Sequence, residues 1–267
     1  MSKGLVLAAH GSNVNPAVNA RIEALVQECG RAFDFDEAVA CFHQGEPGFE
    51  QVLDSLTASE IVVVPFMSSE GYYVNDVLPK ALRQNRRYDD VRIKISRPVG
   101  VNPRLPQLVL DRALATVSNH RTDLRFDQDP RVLVAIVGHG TRRNQNSRAS
   151  VLAVEAYLKS LPDPPWRATA HAFIDDDPTV DELLGIRLAD GQAPNLLIIV
   201  PMFMGQGPHV VKDLPEMLSL PVTSPVSFPI LGDVNGVSIV VDAPLGDWAA
   251  MAELVCDGVS EALGVSL

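Results

Sequence analysis

Cysteine is scarce in this sequence of 267 residues, which contains only Cys29, Cys41 and Cys256. The three lie far apart and show no Cys-x-x-Cys spacing, which argues against a disulfide framework and against a thiolate metal site. We therefore expect three buried or half-buried thiols in a reducing compartment.

Long apolar runs and net positive charge are missing too. No apolar run reaches the roughly 18 residues that span a bilayer, and the first residues lack the apolar stretch of a signal peptide. We therefore expect a cytoplasmic protein without a membrane partner. A net charge of −11 disfavours nucleic acid as a partner, because phosphate binding needs a clustered basic face. Because the chain is acidic overall, an anionic ligand must be bound by a local group of basic residues.

An internal repeat dominates what the sequence does contain. Two segments of about half the chain each carry the same landmarks in the same order, and a chance match of all of them is improbable. The landmarks are His-Gly (His10-Gly11 and His139-Gly140), Phe-x4-Pro (Phe42 to Pro47 and Phe173 to Pro178), Val-Pro followed by Leu-Pro (Val64-Pro65 with Leu78-Pro79, and Val200-Pro201 with Leu214-Pro215) and Pro-x-Gly (Pro98 to Gly100 and Pro244 to Gly246).

Each repeat alternates short Val- and Ile-rich runs with longer amphipathic stretches, which is typical of βαβ units. We predict an α/β protein of two tandem repeats, each a four-stranded parallel sheet flanked by helices, with a cleft between the lobes. The predicted boundaries are 1–118, a linker at 119–130, and 131–267. Asn15-Pro16 should start the first helix. An insertion at 219–236 is either a lid or a long surface loop.

Ligands of parallel α/β sheets bind beyond the carboxyl ends of the strands. In the second repeat His139 follows the first strand, Asp175 follows the second, and His209 follows the loop after the third. Two imidazoles and one carboxylate suit a divalent metal such as Fe, Co, Ni or Zn. Each also has an ordinary interpretation: a capped strand-end histidine, a helix-start histidine, or an acidic turn.

The loop before His209 has Gly205 and Gly207, which leave its backbone open to a flat ligand. Basic residues nearby are candidates for binding ligand carboxylates, although they also fit plain surface charges. These are Arg142, Arg143, Arg148 and Lys212.

The first repeat keeps His10 but has Tyr73 at the position of His209 and Gln44 at that of Asp175. It is therefore a weaker metal site or a structural partner. The loop after its third strand contains Glu70, which could face His139 and His209 across the cleft. Tyr72 and Tyr73 either stack on a ligand or pack at a lobe interface.

With these motifs the chain resembles the class II chelatases of the sirohydrochlorin chelatase family, particularly the long two-lobe CbiX type. The resemblance covers nearly the whole chain and implies that His139 and His209 line the cleft for metal and tetrapyrrole. It implies an acidic helper, either Asp175 or Glu70. The loss of the second histidine from the first repeat departs from a symmetric pattern.

The resemblance implies insertion of Co²⁺ or Fe²⁺, as substrate, into sirohydrochlorin or a related tetrapyrrole in cobalamin or siroheme biosynthesis. Such a chelatase would use no organic cofactor, and the sequence has no ATP-binding P-loop motif. We expect a monomer or a homodimer.

Two rival functions remain open at this point. A histidine phosphatase fits poorly, because Ala9 and Gly138 stand where an arginine would precede the histidine. A non-catalytic metal or tetrapyrrole carrier, or a regulatory paralogue, would use the same histidines for binding alone.

Overall fold

The computed structural model describes residues 2–121, 131–141, 146–222 and 225–265. In chain order its strands and helices are β1 (Lys3–Gly11), α1 (Pro16–Ala32), β2 (Glu37–Gln44), β3 (Glu60–Phe66), α2 (Leu78–Gln84), β4 (Arg92–Ile95), α3 (Leu105–Arg121), β5 (Val132–Gly138), α4 (Asn146–Lys159), β6 (Ala168–Phe173), β7 (Leu196–Pro201), α5 (Leu214–Met217), β8 (Ile230–Val234), β9 (Val237–Val241) and α6 (Met251–Leu263).

The chain folds into two compact units. The first comprises Met1–Pro103 with Ala249–Leu267, and the second comprises Arg104–Trp248. The first unit has a fully parallel sheet in the order β2-β1-β3-β4. Its central strands β1 and β3 are almost continuously buried, as expected for a parallel sheet covered on both faces.

The second unit repeats this order as β6-β5-β7-β9 and adds β8 at the edge. The four predicted parallel strands are therefore present in each repeat. The fifth strand is antiparallel to β9 and is formed by the end of the insertion at 219–236. Asn235 and Gly236 both have positive φ, 55° and 79°, which suits a two-residue hairpin turn. The described part of the insertion thus includes an edge strand, which neither the predicted lid nor the predicted loop anticipated.

The terminal helix of each repeat packs on the sheet of the other repeat. Helix α3, from the first repeat, packs against α4 and β7 of the second unit. Its Arg112 forms an ion pair with the buried Asp242, which also accepts a hydrogen bond from Thr116 at 2.8 Å. Helix α6, from the second repeat, packs against α1, β3 and β4 of the first unit.

The packing units therefore differ from the sequence repeats by an exchange of helices. Helix α3 also runs to Arg121, so residues 119–121 of the predicted linker are helical, and the rest of that segment lies outside the described residues. The start of α1 agrees with its prediction: Asn15 precedes the helix, and its side chain accepts a hydrogen bond from Ala17 N at 3.2 Å.

Candidate functional site

The His-Gly landmark places His139 at the carboxyl end of β5. Gly140 adopts φ +69°, and a Cβ there would lie 2.7 Å from Cβ of Phe173. Only glycine fits a left-handed residue pressed against a neighbouring side chain in this way. The His-Gly and Phe-x4-Pro landmarks are thus two sides of one contact. The glycine carbonyl accepts a hydrogen bond from His139 Nδ1 at 2.7 Å.

His209 begins a π-helical turn, His209–Asp213, which leads directly into α5. Pro215, the second residue of α5, has no N–H to donate to the carbonyl four residues earlier, and a wider turn accommodates that loss. The turn brings Asp213 to the edge of the ring, where its Oδ2 accepts a hydrogen bond from His209 Nδ1 at 2.8 Å. The Leu-Pro landmark therefore helps to orient the histidine.

The two histidine rings meet through their Nε2 atoms. These atoms are 3.2 Å apart, and the rings are nearly perpendicular, at 82°. A carbonyl or carboxylate oxygen can only accept, so each Nδ1 must carry its proton in these hydrogen bonds. In a neutral ring the remaining Nε2 is then unprotonated. Two lone pairs therefore face each other, an arrangement that a cation or a shared proton stabilises.

The spacing of the pair suits one metal ion. Two nitrogens 3.2 Å apart subtend about 100° at an ion that lies roughly 2.0–2.1 Å from each. That angle is close to the tetrahedral value and leaves the other coordination positions of the ion open. Both side chains are well exposed, at 44% and 40%, so the ion can exchange with solvent or with a ligand.

Asp175 lies beside His139 at the same edge of the sheet. Its Oδ2 lies 3.5 Å from Nδ1 of His139, on the protonated edge of the ring rather than beside Nε2. Among the described residues no group of three His, Cys, Asp or Glu side chains is arranged to hold a metal ion. The role of Asp175 as a third metal ligand stays a prediction, and the position of its carboxylate in this structure also suits an orienting or proton-accepting group.

The predicted basic residues divide into three groups. Arg148 donates to Asp176 Oδ2 at 2.5 Å and to the carbonyl of Asp177 at 2.9 Å, so it holds the turn after β6. Lys212 is exposed within the turn that starts at His209. Arg142 and Arg143 lie outside the described residues.

The glycine-containing loop before His209 contacts the second Pro-x-Gly landmark, Pro244 to Gly246. A Cβ on Gly246 would lie 2.2 Å from the carbonyl oxygen of Met204, and Gly246 N donates to Phe203 O at 2.9 Å. Within the loop, Gln206 donates to Asp247 at 2.7 Å. A Cβ on Gly207 would meet nothing within 4 Å, in agreement with an open backbone at this residue.

The first unit has a cluster of three rings at the equivalent position. His10 contacts Tyr73 at a centroid distance of 5.1 Å and His43 at 5.2 Å, and His43 contacts Tyr73 at 4.7 Å. Desolvation of the ring, and secondly the neighbouring His43, lower the pKa of His10. His10 and Tyr73, the counterparts of His139 and His209, are therefore in contact as well.

The remaining predicted residues of the first unit lie on the loop after β3 and on the turn that follows it. Tyr72 is 65% exposed and contacts Tyr73 at a centroid distance of 5.9 Å. Glu70 is half-buried, and its carbonyl accepts a hydrogen bond from Asn75 at 3.4 Å.

Sequence reasoning missed three contributors to these sites. Asp213 was detectable, because it lies four residues after His209 on one face of a helical turn. His43 is the next-to-last residue of β2 and was detectable from its place at the carboxyl edge. The contact between Gly246 and Met204 joins residues far apart in sequence, and only the recurrence of Pro-x-Gly indicated it.

Comparison with known proteins agrees with the repeat. The family model described as CbiX matches residues 4–116 and 133–262. A probable sirohydrochlorin cobaltochelatase of Halobacterium salinarum is 27% identical over 80% of this chain and 76% of that protein. A sirohydrochlorin cobaltochelatase of Methanococcoides burtonii is 30% identical, and the match covers 49% of this chain but 95% of that protein. That relative therefore corresponds to a single repeat.

The solved structure described as CbiX, the terminal enzyme for biosynthesis of siroheme in denitrifying bacteria, has the same fold. It superposes with a TM-score of 0.67 at 20% identity, covering 97% of this chain and 99% of that chain.

Proposed function

This chain belongs to the CbiX family, whose model spans both repeats, and we propose that it is a chelatase that inserts Co²⁺ or Fe²⁺ into sirohydrochlorin or a related tetrapyrrole. The observation that carries the proposal is the pair of Nε2 atoms 3.2 Å apart at the carboxyl edge of the second sheet. The product would enter cobalamin or siroheme biosynthesis.

The first task of such an enzyme is to hold a partly dehydrated ion. His139 and His209 would supply two nitrogen ligands and leave the other positions of the ion for water and then for the ring nitrogens. The hydrogen bonds from each Nδ1, to Gly140 and to Asp213, fix the ring orientation and increase the basicity of Nε2. The pair is therefore organised before the ion arrives.

The second task is to remove two protons. The tetrapyrrole loses two N–H protons as the divalent ion enters, so the charge of the ring site is balanced. A histidine whose Nε2 is released by the ion can accept such a proton. Asp175 beside His139 and Asp213 beside His209 would stabilise the imidazolium and pass the proton to solvent.

The third task is to bind the carboxylates and the face of the ring. We assign the exposed Lys212, together with Arg142 and Arg143, to the ring carboxylates. Arg148 acts through the turn that it holds at Asp176 and Asp177. Gly205 and Gly207 have no side chains, so the loop backbone stays accessible to a flat ligand. Tyr72 and Tyr73 are proposed as a stacking surface.

The first repeat enters the proposal as the weaker site. His10 lacks a histidine partner equivalent to His209, so we assign it at most a weak affinity for the metal. Glu70 is proposed as the acidic group from this repeat that assists proton removal, and the family resemblance is its support. No organic cofactor is needed for the reaction as proposed.

The setting of the protein also belongs to the proposal. No helix among the described residues is both long and apolar enough to span a membrane. We propose a cytoplasmic location and a monomeric or homodimeric state.

Metal insertion followed by the absorbance change of sirohydrochlorin tests the function. We expect Co²⁺ turnover above the spontaneous rate that is lost in His139→Ala and His209→Ala. Tight stoichiometric binding of metal or ring without turnover would instead show that the protein is a carrier.

A further inference from the structure

Two of the three cysteines, remote in sequence, meet in the first unit. Cys29 lies in α1 and Cys256 in α6, the helix that comes from the second repeat. Their Sγ atoms are 3.5 Å apart across a sequence separation of 227 residues. Cys29 is fully buried, whereas Cys256 is half-buried and accessible from solvent. All three cysteines are free thiols, buried or half-buried as expected, and two of them lie next to each other.

The environment makes the two thiols unequal. The hydrogen bond with Cys29 lowers the pKa of Cys256, and burial and the carboxylates of Glu28, Asp257 and Glu253 oppose this with a smaller effect. The same hydrogen bond and then burial raise the pKa of Cys29. A thiolate is the reactive form of cysteine, and Cys256 is also the more exposed of the two sulfurs. We therefore assign Cys256 as the attacking sulfur and Cys29 as the resolving one.

We propose that Cys29 and Cys256 form a redox-responsive modification site, at which a low-molecular-weight disulfide such as oxidised glutathione closes a Cys29–Cys256 disulfide. A disulfide requires an S–S distance of about 2.0 Å, so the sulfurs must approach by roughly 1.5 Å. A change of side-chain torsion in two packed helices supplies a movement of that size.

The chemistry balances in two exchange steps. The Cys256 thiolate attacks one sulfur of glutathione disulfide, forms a mixed disulfide and releases one glutathione thiolate. The hydrogen bond that held the pKa of Cys29 high is then lost. Cys29 gives its proton to water and attacks the sulfur of Cys256, which releases the second glutathione. Two protein thiols are oxidised, and one glutathione disulfide is reduced to two thiols.

The disulfide would link α6 covalently to α1 of the first unit. Besides Cys256, α6 holds the segment after β4 through Asp257, which accepts from Asn102 at 3.1 Å, and Glu261, which accepts from Arg97 at 2.9 Å. Closing so long a loop restricts the unfolded chain. We expect the melting temperature to rise by about 5–10 °C on oxidation and to return after reduction.

The test uses the full-length protein incubated with glutathione disulfide, then alkylated and mapped by peptide mass spectrometry. We expect two of the three thiols to disappear, a cross-linked peptide pair containing Cys29 and Cys256, and reversal by dithiothreitol. Cys41→Ala is the matched control, because Cys41 is buried in β2, and it should still form the link. Cys256→Ala should not.

Two results would overturn the proposal. One is a wild-type protein that keeps all three thiols under oxidation. The other is a protein that stops at glutathionylated Cys256 with Cys29 still free. Neither measurement involves metal insertion, so this test and that of chelatase activity succeed or fail separately.

Discussion

The two repeats form the same sheet edge but place different side chains along it. Both end their first strand in His-Gly with the glycine at φ +69°, and both follow their third strand with a π-helical turn. In the second repeat the turn begins with His209, which meets His139 through nitrogen. In the first it begins with Tyr73, which packs beside His10 and His43. The scaffold was kept in both copies, and a few side chains distinguish a cation site from an aromatic cluster.

Converting the second site into the first should have the largest effect. His209→Tyr gives the second repeat the residue of the first and removes one of two proposed metal ligands. We expect kcat/KM for Co²⁺ insertion to fall by more than about 100-fold, because loss of a group that merely orients a ligand already costs 10–100-fold. The matched control is Tyr73→Phe in the first repeat, which should change the rate less than about threefold. Equal losses in both variants would remove the distinction between the repeats.

The orienting carboxylate provides the next comparison. Asp213 has Val77 as its counterpart in the first repeat, so the first repeat has no carboxylate at this position. Asp213→Asn weakens the acceptor for His209 Nδ1, and we expect Co²⁺ affinity to fall by about 10–100-fold, measured by calorimetry. An unchanged affinity would show that His209 is oriented by other contacts.

The glycine that contacts the loop after the third strand is present in both repeats, so substituting it should distinguish them less. A Cβ at Gly246 meets Met204 O at 2.2 Å, and a Cβ at Gly100 meets Ser68 O at 2.2 Å. We expect Gly246→Ala and Gly100→Ala each to lower the free energy of unfolding by roughly 1–3 kcal/mol, measured by urea denaturation. Only Gly246→Ala should also weaken Co²⁺ binding, because its loop leads to His209. If both variants weaken binding equally, the effect comes from stability rather than from the site.

The smallest expected effect is a pH dependence in the first repeat. The pKa of His10 is lowered in the folded state from its ordinary value of 6.5, so the unfolded chain binds more protons than the folded chain below that value. Stability from this group is present above pH 6.5 and is lost as the pH falls. We expect NMR titration to place the His10 midpoint below 6.5 and His43→Ala to raise it. A midpoint unchanged in His43→Ala would show that desolvation alone sets the shift.

Much of the architecture followed from the sequence, because the landmarks are packing contacts that recur twice. Pattern and order alone placed His10 and His139 at their strand ends and His209 after the loop that follows the third strand. The four parallel strands of each sheet followed from apolar runs. The exchange of α3 and α6 could not be predicted in this way, since each helix has an ordinary amphipathic pattern that fits either sheet.

The finer chemistry of the site depended on short-range geometry. The sequence brought Asp175 to the correct edge but could not show that it approaches Nδ1 of His139 rather than Nε2. The proximity of Cys29 and Cys256 also depends on the exchanged helix, so the spacing of the cysteines in sequence could not reveal it. Residue type and order therefore located the candidate site, and ring orientation determined which atoms can bind.

The central claim is that one cation binds between two unprotonated nitrogens in the second repeat. A crystal structure of the protein soaked with Co²⁺, with the ion located by anomalous scattering, tests this most directly. The account predicts a single strong site with Co²⁺ bonded to Nε2 of both His139 and His209, and Asp213 still hydrogen-bonded to His209. An ion bound at His10 in the first repeat, with the His139 and His209 pair unoccupied, would contradict it.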